Sequence, residues 1–237
     1  MQNYIYLIPA RGGSKRIVDK NIKLLASKPL ICHSIEFALS TSDKSNIFVS
    51  SDSEEILSIA KKYNVNTHLR KKEFAEDNTK MIDTTLNFLD IFNIPCETNL
   101  VLLQPTSPFR NKQFLDKLKN LYETSIQASS ALSLLRCDFF HPAKIGELKE
   151  NKKFNLLSIE SEDNVDNLKK KPYYVISGTY YVTSIKSLRD NSSFIGPNPI
   201  GIEEETSTHC NIDNEVDLEL AKLIIKNKKV LNYSYEN

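Results

Sequence analysis

The chain has 237 residues, of which 40% are hydrophobic and 26% are charged, a composition typical of a folded globular protein. Its 31 basic and 30 acidic residues leave a formal net charge of +1, so we expect no nucleic-acid partner. No apolar run approaches the roughly 20 residues that span a bilayer. Since the first residues do not resemble a signal peptide, we expect a cytoplasmic protein with no membrane partner.

Three short apolar runs in the first half predict strands that are buried on both faces of a sheet. They are Tyr4–Ile8, Ile47–Val49 and Leu100–Leu103. Pro29 stands where a helix can begin, and the apolar stripe that follows it predicts that helix. A second helix is predicted where Ser51 and Glu54 have the spacing of a capping box. This alternation of strands and helices predicts a parallel sheet with right-handed crossovers.

The second half of the chain is less regular. Strand character returns at residues 131–135, 175–176 and 179–182. Asp213 or Asn214 can cap a final helix. Residues 146–171 are polar and rich in lysine, without a clean helix or strand pattern. We predict a single domain over residues 1–237, from which residues 140–200 form an excursion.

A turn that contains two glycines follows the first predicted strand, at the place where ligands bind in open α/β sheets. Gly12 and Gly13 permit a tight turn and offer backbone N–H groups to an anion. Four cationic side chains lie within ten residues, and they are Arg11, Lys15, Arg16 and Lys20. Such a group suits a triphosphate, which needs several charged donors. Neither the Walker A pattern nor the dinucleotide fingerprint is present, so the spacing alone also permits a surface turn with solvated charges.

A series of short motifs in this chain resembles the acylneuraminate cytidylyltransferases, also known as CMP-sialic acid synthetases. The clearest two are Ile8–Lys15 followed by Lys20-Asn21, and Leu102–Pro108 followed by Arg110. The others are Pro29-Leu30, Val49–Asp52, Arg70 with Glu73–Ala75 and Asp77, His141-Pro142 with Lys144, Ser177-Gly178, and Ile212-Asp213 with Asp217-Leu218. These motifs run in family order from residue 5 to about residue 225, nearly the whole chain.

The resemblance implies an α/β fold of the Rossmann-like nucleotide-diphospho-sugar transferase type, with a mostly parallel sheet flanked by helices. It implies a reaction of CTP with a nine-carbon 2-keto sugar acid, or nonulosonic acid, to the CMP-sugar and pyrophosphate. N-acetylneuraminic, legionaminic and pseudaminic acids are such acids. Mg²⁺ is the implied cofactor, with Mn²⁺ as the alternative ion. Family members are typically homodimers in which a segment closes the partner's sugar site, and residues 140–200 fit that role.

The resemblance also implies roles for individual residues. Those implied to bind the nucleotide are Ala10, Arg11, Gly12, Gly13, Ser14, Lys15, Lys20, Asn21 and Arg70. Among them Arg11 and Lys15 would hold the β- and γ-phosphates, and Lys20 would face the α-phosphate, where charge develops during attack. Those implied to bind the sugar are Gln104, Lys144, Ser177 and Asn211, with one of Lys169, Lys170 and Lys171 as a further candidate. The implied catalytic residues are Arg11, Lys20 and Asp213, and the implied metal ligands are Asp213 and Asn211.

The chain departs from the family pattern at three positions. Asn211 stands where the family has an aspartate, so the metal site loses one negative charge but keeps a neutral oxygen. Ser177 replaces the usual asparagine near the sugar, and Met81 replaces a small hydroxyl residue near the base. Arg70 as a solvated charge and Gln104 as a structural amide are alternatives to their binding roles. Two other functions stay open: transfer to a different sugar acid, and nucleotide binding without catalysis, which Asn211 favours.

Overall fold

The computed structural model describes residues 3–137, 142–157, 172–205 and 209–227. The strands are β1 (Tyr4–Pro9), β2 (Leu24–Leu25), β3 (Lys28–Pro29), β4 (Ile47–Ser51), β5 (Asn66–Leu69), β6 (Asn99–Leu102), β7 (Ser130–Arg136), β8 (Gly146–Leu148), β9 (Phe154–Leu156), β10 (Tyr174–Ser184) and β11 (Pro199–Glu203). The α-helices are α1 (Leu30–Thr41), α2 (Glu54–Lys62), α3 (Met81–Ile91), α4 (Lys112–Thr124), α5 (Ile185–Asn191) and α6 (Glu215–Lys226). Within the described ranges, no helix is both long enough and apolar enough to cross a membrane.

A seven-stranded sheet runs through the centre in the order β11-β7-β10-β6-β1-β4-β5. Neighbouring strands are parallel except at β10, which is antiparallel to both β6 and β7. The predicted mostly parallel α/β sheet is therefore confirmed. Because β1, β4, β6 and β7 run in one direction, their carboxyl ends share one edge, where ligands bind in such sheets.

Strand β1 is buried along its whole length because helices cover both faces of the sheet. Tyr6 and Ile8 belong to a cluster that also contains Ile35 of α1 and residues of α2 and α4. Leu7 points to the opposite face and joins a second cluster with Phe88 of α3 and residues of α5. Side chains alternate between the faces of a strand, so an uninterrupted apolar run is the pattern of a strand covered on both sides.

A third apolar cluster attaches α6 to the turn that follows β1. It joins Ile17 of that turn and Leu25 of β2 to Ile212 and Leu218, all of which are almost completely buried. Burying an aliphatic side chain of this size contributes about 1.5–3 kcal/mol. The packing of this cluster therefore brings the segment before α6 against the turn after β1, although they are distant in sequence.

Two helix caps refine the sequence-based prediction. Helix α2 is capped by Ser53, whose Oγ accepts a hydrogen bond from the N–H of Ile56 at 3.4 Å, so the predicted cap at Ser51 is wrong. Ser51 instead forms the last residue of β4. For α6 the cap is Asn214, whose side chain accepts from Asp217 N while the Asp217 carboxylate accepts from Asn214 N. Of the two predicted caps for this helix, Asn214 is therefore the one used.

The predicted excursion divides into two parts. In residues 142–157, β8 and β9 pair with each other as a two-stranded sheet that is separate from the central one. Residues 174–203 return to the central sheet through β10 and β11. Residues 138–141 and 158–171, which include His141 and the lysines at 169–171, lie outside the described residues. The dimerisation role of the excursion stays a prediction.

Candidate active site

An open cavity of about 290 Å³ lies at the carboxyl edge of the sheet, between the turn after β1 and the segments that precede α3 and follow β6. It is lined by Pro9, Arg11, Lys20, Asn21, Arg70, Phe74, Ala75, Glu76, Asp77, Thr79, Met81, Thr84, Gln104, Pro105 and Thr106. Five residues of the predicted site are in this lining, namely Arg11, Lys20, Asn21, Arg70 and Gln104. Residues that are up to 97 positions apart in the chain, such as Pro9 and Thr106, thus meet at one pocket.

Hydrogen bonds to neighbouring segments hold the turn after β1 in place. The N–H of Ala10 donates to Ser50 O at 2.9 Å and continues the pairing of β1 with β4. The N–H of Gly12 donates to Asp52 Oδ1 at 2.9 Å, and Asn21 Nδ2 donates to the carbonyl oxygen of Arg11 at 2.8 Å. The Gly12 N–H that was predicted for an anion is thus engaged within the protein, and Asp52 positions the turn.

The two glycines of the turn have different surroundings. A Cβ atom at Gly12 would lie 2.9 Å from Ser53 Cβ, closer than side-chain carbons approach one another. A Cβ atom at Gly13 would meet nothing within 4 Å, and Gly13 is exposed. Of the two glycines in this turn, only Gly12 is therefore required by close packing. Ser14 and Lys15 continue the turn towards solvent, with Ser14 partly buried and Lys15 exposed.

Arg11 and Lys15 both contact the carboxylate of Asp77. Arg11 NH1 lies 2.8 Å from Asp77 Oδ1, and Lys15 Nζ contacts Asp77 Oδ2. The hydrogen bonds from Lys15 and then from Arg11 hold the pKa of Asp77 below its usual range. Two cations predicted to bind phosphate thus converge on one anionic group, which is the arrangement that a phosphate requires.

Arg70 is buried beside the cavity and is fixed by the backbone of β4. Its NH2 group donates to Ser50 O at 2.7 Å, and its NH1 group donates to Phe74 O at 3.5 Å. Burial disfavours the charged guanidinium and lowers the pKa of Arg70 to about 10, although nearby Asp52 acts in the opposite direction. The alternative of a solvated surface charge at Arg70 is therefore excluded, and its side chain forms part of the cavity wall.

Lys20, Asp213 and Asn211 form one group at the cavity edge. Lys20 Nζ donates to Ile212 O at 2.9 Å and to Asp213 Oδ1 at 3.3 Å. Asn211 Nδ2 donates to Asp213 Oδ2 at 2.9 Å. The Lys20 side chain is only 15% exposed, whereas that of Asp213 is 45% exposed. The three predicted residues are therefore adjacent, with the Asp213 carboxylate between a cation and an amide.

Of the predicted sugar residues, Ser177 lies within a bulge in β10 and Gln104 lies beside that bulge. The pairing of β10 with β7 shifts between Ile176 and Tyr181, and Gly178 within this bulge has φ +82°. A positive φ of this size favours glycine. A Cβ atom at Gly178 would lie 3.8 Å from Gln104 Oε1, so the bulge borders Gln104. Ser177 is buried, and its Oγ donates to Ser133 O at 3.1 Å.

A partly buried pair of titratable residues, missed by the sequence-based prediction, follows β11. Glu204 Oε1 accepts a hydrogen bond from Thr179 Oγ1 at 2.8 Å and lies 3.1 Å from His209 Nδ1. The side chains of Glu204 and His209 are 11% and 17% exposed. Thr179 is also linked to Ser177 at 3.3 Å. Glu204 and His209 are five positions apart in the chain, whereas Thr179 meets Glu204 through the pairing of β10 and β11 with β7.

Lys144 is not brought to the cavity. It ends a single turn of 3₁₀ helix, Pro142–Lys144, just before the β8–β9 hairpin, and its side chain is exposed. Lys144 is not among the residues that line the cavity. A contact between Lys144 and the sugar carboxylate would therefore have to form outside this cavity.

The oxygen atoms of Asp213 and Asn211 fit Mg²⁺ only if a bound substrate supplies further oxygen ligands. Mg²⁺ is usually held by one or two carboxylates together with substrate phosphates and waters. Asp213 offers one half-exposed carboxylate, and Asn211 offers an amide oxygen if its amide group turns by a half rotation. Within the described ranges, no three His, Cys, Asp or Glu side chains are grouped to hold a metal. The residues thus fit a metal ion that arrives with phosphate.

Comparison with known proteins points to one family. A family model described as "Cytidylyltransferase" matches residues 5–200. The chain is 32% identical over 237 residues to CMP-N,N'-diacetyllegionaminic acid synthase of Legionella pneumophila, covering 95% of this chain and 97% of that protein. It is 31% identical over 224 residues to pseudaminic acid cytidylyltransferase of Campylobacter jejuni, covering 93% and 95%.

Solved structures share the fold at much lower identity. One is CMP:2-keto-3-deoxy-manno-octonic acid synthetase complexed with CTP, with a TM-score of 0.71, 14% identity, and coverage of 96% of this chain and 100% of that one. Another is 4-diphosphocytidyl-2C-methyl-D-erythritol synthase of Anaerococcus prevotii, with a TM-score of 0.63, 12% identity, and coverage of 95% and 99%.

The mostly parallel sheet, the glycine turn at its carboxyl edge and the cations beside that turn define a nucleotidyltransferase of the Rossmann-like type. The family match covers most of the sequence, and two relatives align over nearly their whole length. The chain belongs to the cytidylyltransferase family.

Proposed function

We propose that the protein transfers CMP from CTP to a nine-carbon 2-keto sugar acid of the legionaminic, pseudaminic or N-acetylneuraminic type and releases pyrophosphate. The observation that carries this proposal is the cavity with Arg11 in its lining, Lys15 beside it on Asp77, and the Lys20–Asp213 group at its edge. The full-length similarity to enzymes named for such substrates supports the acceptor class. CTP is a cytoplasmic nucleotide, which supports the expected location.

The triphosphate would be held by the turn after β1. Arg11 and Lys15 supply a guanidinium and an ammonium group that already converge on one anion, and the same two groups would bind the β- and γ-phosphates. Asp52 keeps the turn in this conformation through Gly12 N. Arg70, Met81 and Thr84 line the part of the cavity that is left for ribose and base.

The reaction is an in-line attack of the anomeric hydroxyl group on the α-phosphorus. The hydroxyl oxygen bonds to phosphorus and loses its proton to solvent water, while the bond to the oxygen that bridges to the β-phosphate breaks and pyrophosphate leaves. Such transfers depend mainly on positioning and on neutralising developing charge. Lys20 is held by Ile212 O and Asp213, so its ammonium group needs little reorganisation to stabilise the α-phosphate in the transition state. Gln104, which lies next to the bulge of β10, would orient the acceptor.

Mg²⁺ is the proposed cofactor, with Mn²⁺ as the alternative, and it would neutralise phosphate charge when bound. Asp213 and Asn211 are the residues that would hold it, together with phosphate oxygens. Because Asn211 contributes no negative charge, these two residues would bind the free ion weakly and the nucleotide complex better.

We also propose that the protein is a homodimer that pairs through the β8–β9 hairpin. The support is a set of exposed apolar side chains on and directly after this hairpin, namely Leu148, Phe154, Leu156 and Leu157, each more than half exposed. Apolar side chains grouped in this way mark interaction surfaces. Replacing Leu148 and Leu156 with serine should convert the dimer to a monomer in analytical ultracentrifugation, whereas a monomeric wild-type protein would refute the proposal.

Pyrophosphate release with CTP and Mg²⁺ tests the proposed reaction. We expect release with one of N-acetylneuraminic, legionaminic or pseudaminic acid, and none with UTP or ATP as donor. Release only with ketodeoxyoctonic acid would establish transfer to a different sugar acid. Binding of CTP without release with any acid would support the alternative of a nucleotide-binding protein without catalysis, which Asn211 favours.

A further inference from the structure

Asp77 holds both of the cations that the proposed function assigns to the β- and γ-phosphates. Its two carboxylate oxygens are divided between them, Oδ1 to Arg11 at 2.8 Å and Oδ2 to Lys15. The three groups are accessible to solvent, with side-chain exposures of 37% for Arg11, 80% for Lys15 and 39% for Asp77. Without nucleotide, these phosphate-binding cations therefore already have an anionic partner from the protein itself.

Asp77 and the phosphates of CTP would compete for the same charges. A phosphate placed against Arg11 and Lys15 would bring its negative charge next to the Asp77 carboxylate, and like charges at such short range repel each other. The carboxylate must therefore release the cations when a diphosphate group binds. Asp77 lies in an exposed segment before α3, so it can turn towards solvent when released.

Two other acidic side chains near the turn, Asp52 and Asp213, have different partners. Asp52 accepts a hydrogen bond from Gly12 N and supports the backbone of the turn. Asp213 is held by Lys20 and Asn211 at the edge of the cavity. Asp77 is thus distinguished by contacting both Arg11 and Lys15.

We propose that Asp77 is an internal competitor for the diphosphate-binding cations, which weakens the binding of CTP and of pyrophosphate and thereby favours the departure of pyrophosphate after transfer. This proposal rests on the proposed function, because it takes Arg11 and Lys15 as the diphosphate site. Ligands without a β-phosphate, such as CMP, do not need these cations and are not affected by Asp77.

Isothermal titration of Asp77→Asn with CTP, pyrophosphate and CMP at fixed Mg²⁺ tests the proposal. Exposed ion pairs contribute little individually, so the loss of two such competing pairs should lower the Kd of CTP and of pyrophosphate by about three- to tenfold. The Kd of CMP should stay the same. Asp90→Asn is the matched control, since Asp90 lies on α3, outside the cavity, and the change removes an equal charge from its ion pair with Arg189 of α5.

Weaker or unchanged binding of CTP and pyrophosphate to Asp77→Asn would overturn the proposal, because Asp77 would then position the cations or leave them unaffected. An equal gain in the affinity of Asp77→Asn for CMP, or an equal gain in the affinity of Asp90→Asn for CTP, would also overturn the proposal. Either result would show that the effect comes from the net charge of the protein. Asp77→Ser should show the same effect on affinity as Asp77→Asn. It serves as the test variant if Asp77→Asn folds poorly. Since binding needs no acceptor, a wild-type protein that binds CTP but transfers to no sugar acid would refute the proposed function and leave this proposal standing.

Discussion

The ammonium group of Lys20 lies 3.3 Å from Asp213 Oδ1, an ion pair between residues 193 positions apart in the chain. The carbonyl oxygen of Ile212 accepts a second hydrogen bond from the same group at 2.9 Å. The buried cluster around Ile212 and Leu218 brings these two segments together. The position of the Lys20 ammonium group at the cavity edge therefore depends on the packing of the last described helix.

Replacing Lys20 with alanine should lower kcat by roughly 10²- to 10³-fold, as expected when a preorganised donor to a transition state is lost. The Kd of CTP should change much less, because Arg11 and Lys15 remain. Steady-state kinetics combined with CTP titration measures both quantities. Lys23→Ala, which removes an exposed lysine next to the same turn, is the control and should leave both unchanged. An equal loss in kcat and in CTP affinity would contradict the α-phosphate role.

Replacing Asn211 with aspartate should tighten Mg²⁺ binding, because it places a second carboxylate beside Asp213, 2.9 Å from the present amide nitrogen. Without metal the two carboxylates repel each other, so the Tm should fall and Mg²⁺ should restore it. Thermal denaturation with and without Mg²⁺ measures this effect without any activity assay. Asn120→Asp makes the same charge change on an exposed position of α4 and should show no such recovery. No response to Mg²⁺ in Asn211→Asp would place residue 211 away from the ion.

Replacing Gly12 with alanine should destabilise the protein by about 1–3 kcal/mol, the usual effect of forcing a methyl group into a packed position. The new Cβ atom would lie 2.9 Å from Ser53 Cβ and would displace Gly12 N from Asp52. Affinity for CTP should fall with it. Gly13→Ala is the matched control, since nothing lies within 4 Å of its Cβ position. Chemical denaturation and CTP titration measure the two effects, and identical behaviour of both variants would refute the packing argument.

The free energy of unfolding should decrease as the pH falls from 7 to 5, in part because of His68. Burial, and secondarily the charge of Arg70, lower the pKa of His68 below its ordinary value of 6.5. Below pH 6.5 the unfolded chain therefore takes up a proton at His68 that the folded protein does not, and protonation favours unfolding. In His68→Gln the decrease measured by urea denaturation should be shallower. Parallel curves for both proteins would show that His68 is not responsible.

Sequence patterns predicted β1, β4 and β6 in the middle of the sheet, because burial on both faces produces continuous apolar runs. Strands β5 and β11, at the two edges of the sheet, were not predicted. The run Tyr4–Ile8 was predicted as such a strand, and the structure extends it only to Pro9. The cap of α2 was misplaced because Ser51 and Ser53 both stand before Glu54, and local spacing cannot choose between them. The choice is made by β5, which pairs with β4 as far as Ser51 and keeps that residue in the sheet.

The site was predictable where its residues belong to compact motifs and was not predictable where it depends on distant contacts. Arg11, Lys20 and Arg70 lie at the cavity as expected from the motifs. The partner of Gly12 N is Asp52, and that of Arg11 is Asp77, 40 and 66 positions away. No periodicity specifies such pairs, because they follow from the way in which the strands are ordered.

The antiparallel direction of β10 has a consequence for how this protein can diverge. The residues proposed to bind the nucleotide follow the ends of parallel strands, whereas Ser177 and Gly178, on the proposed acceptor side, stand near the beginning of β10, after the segment that contains the separate hairpin. Insertions or replacements in that segment can therefore remodel the acceptor side without altering the register of β1, β4 and β6. A lineage of such proteins can exchange one acid acceptor for another while inheriting the donor side unchanged.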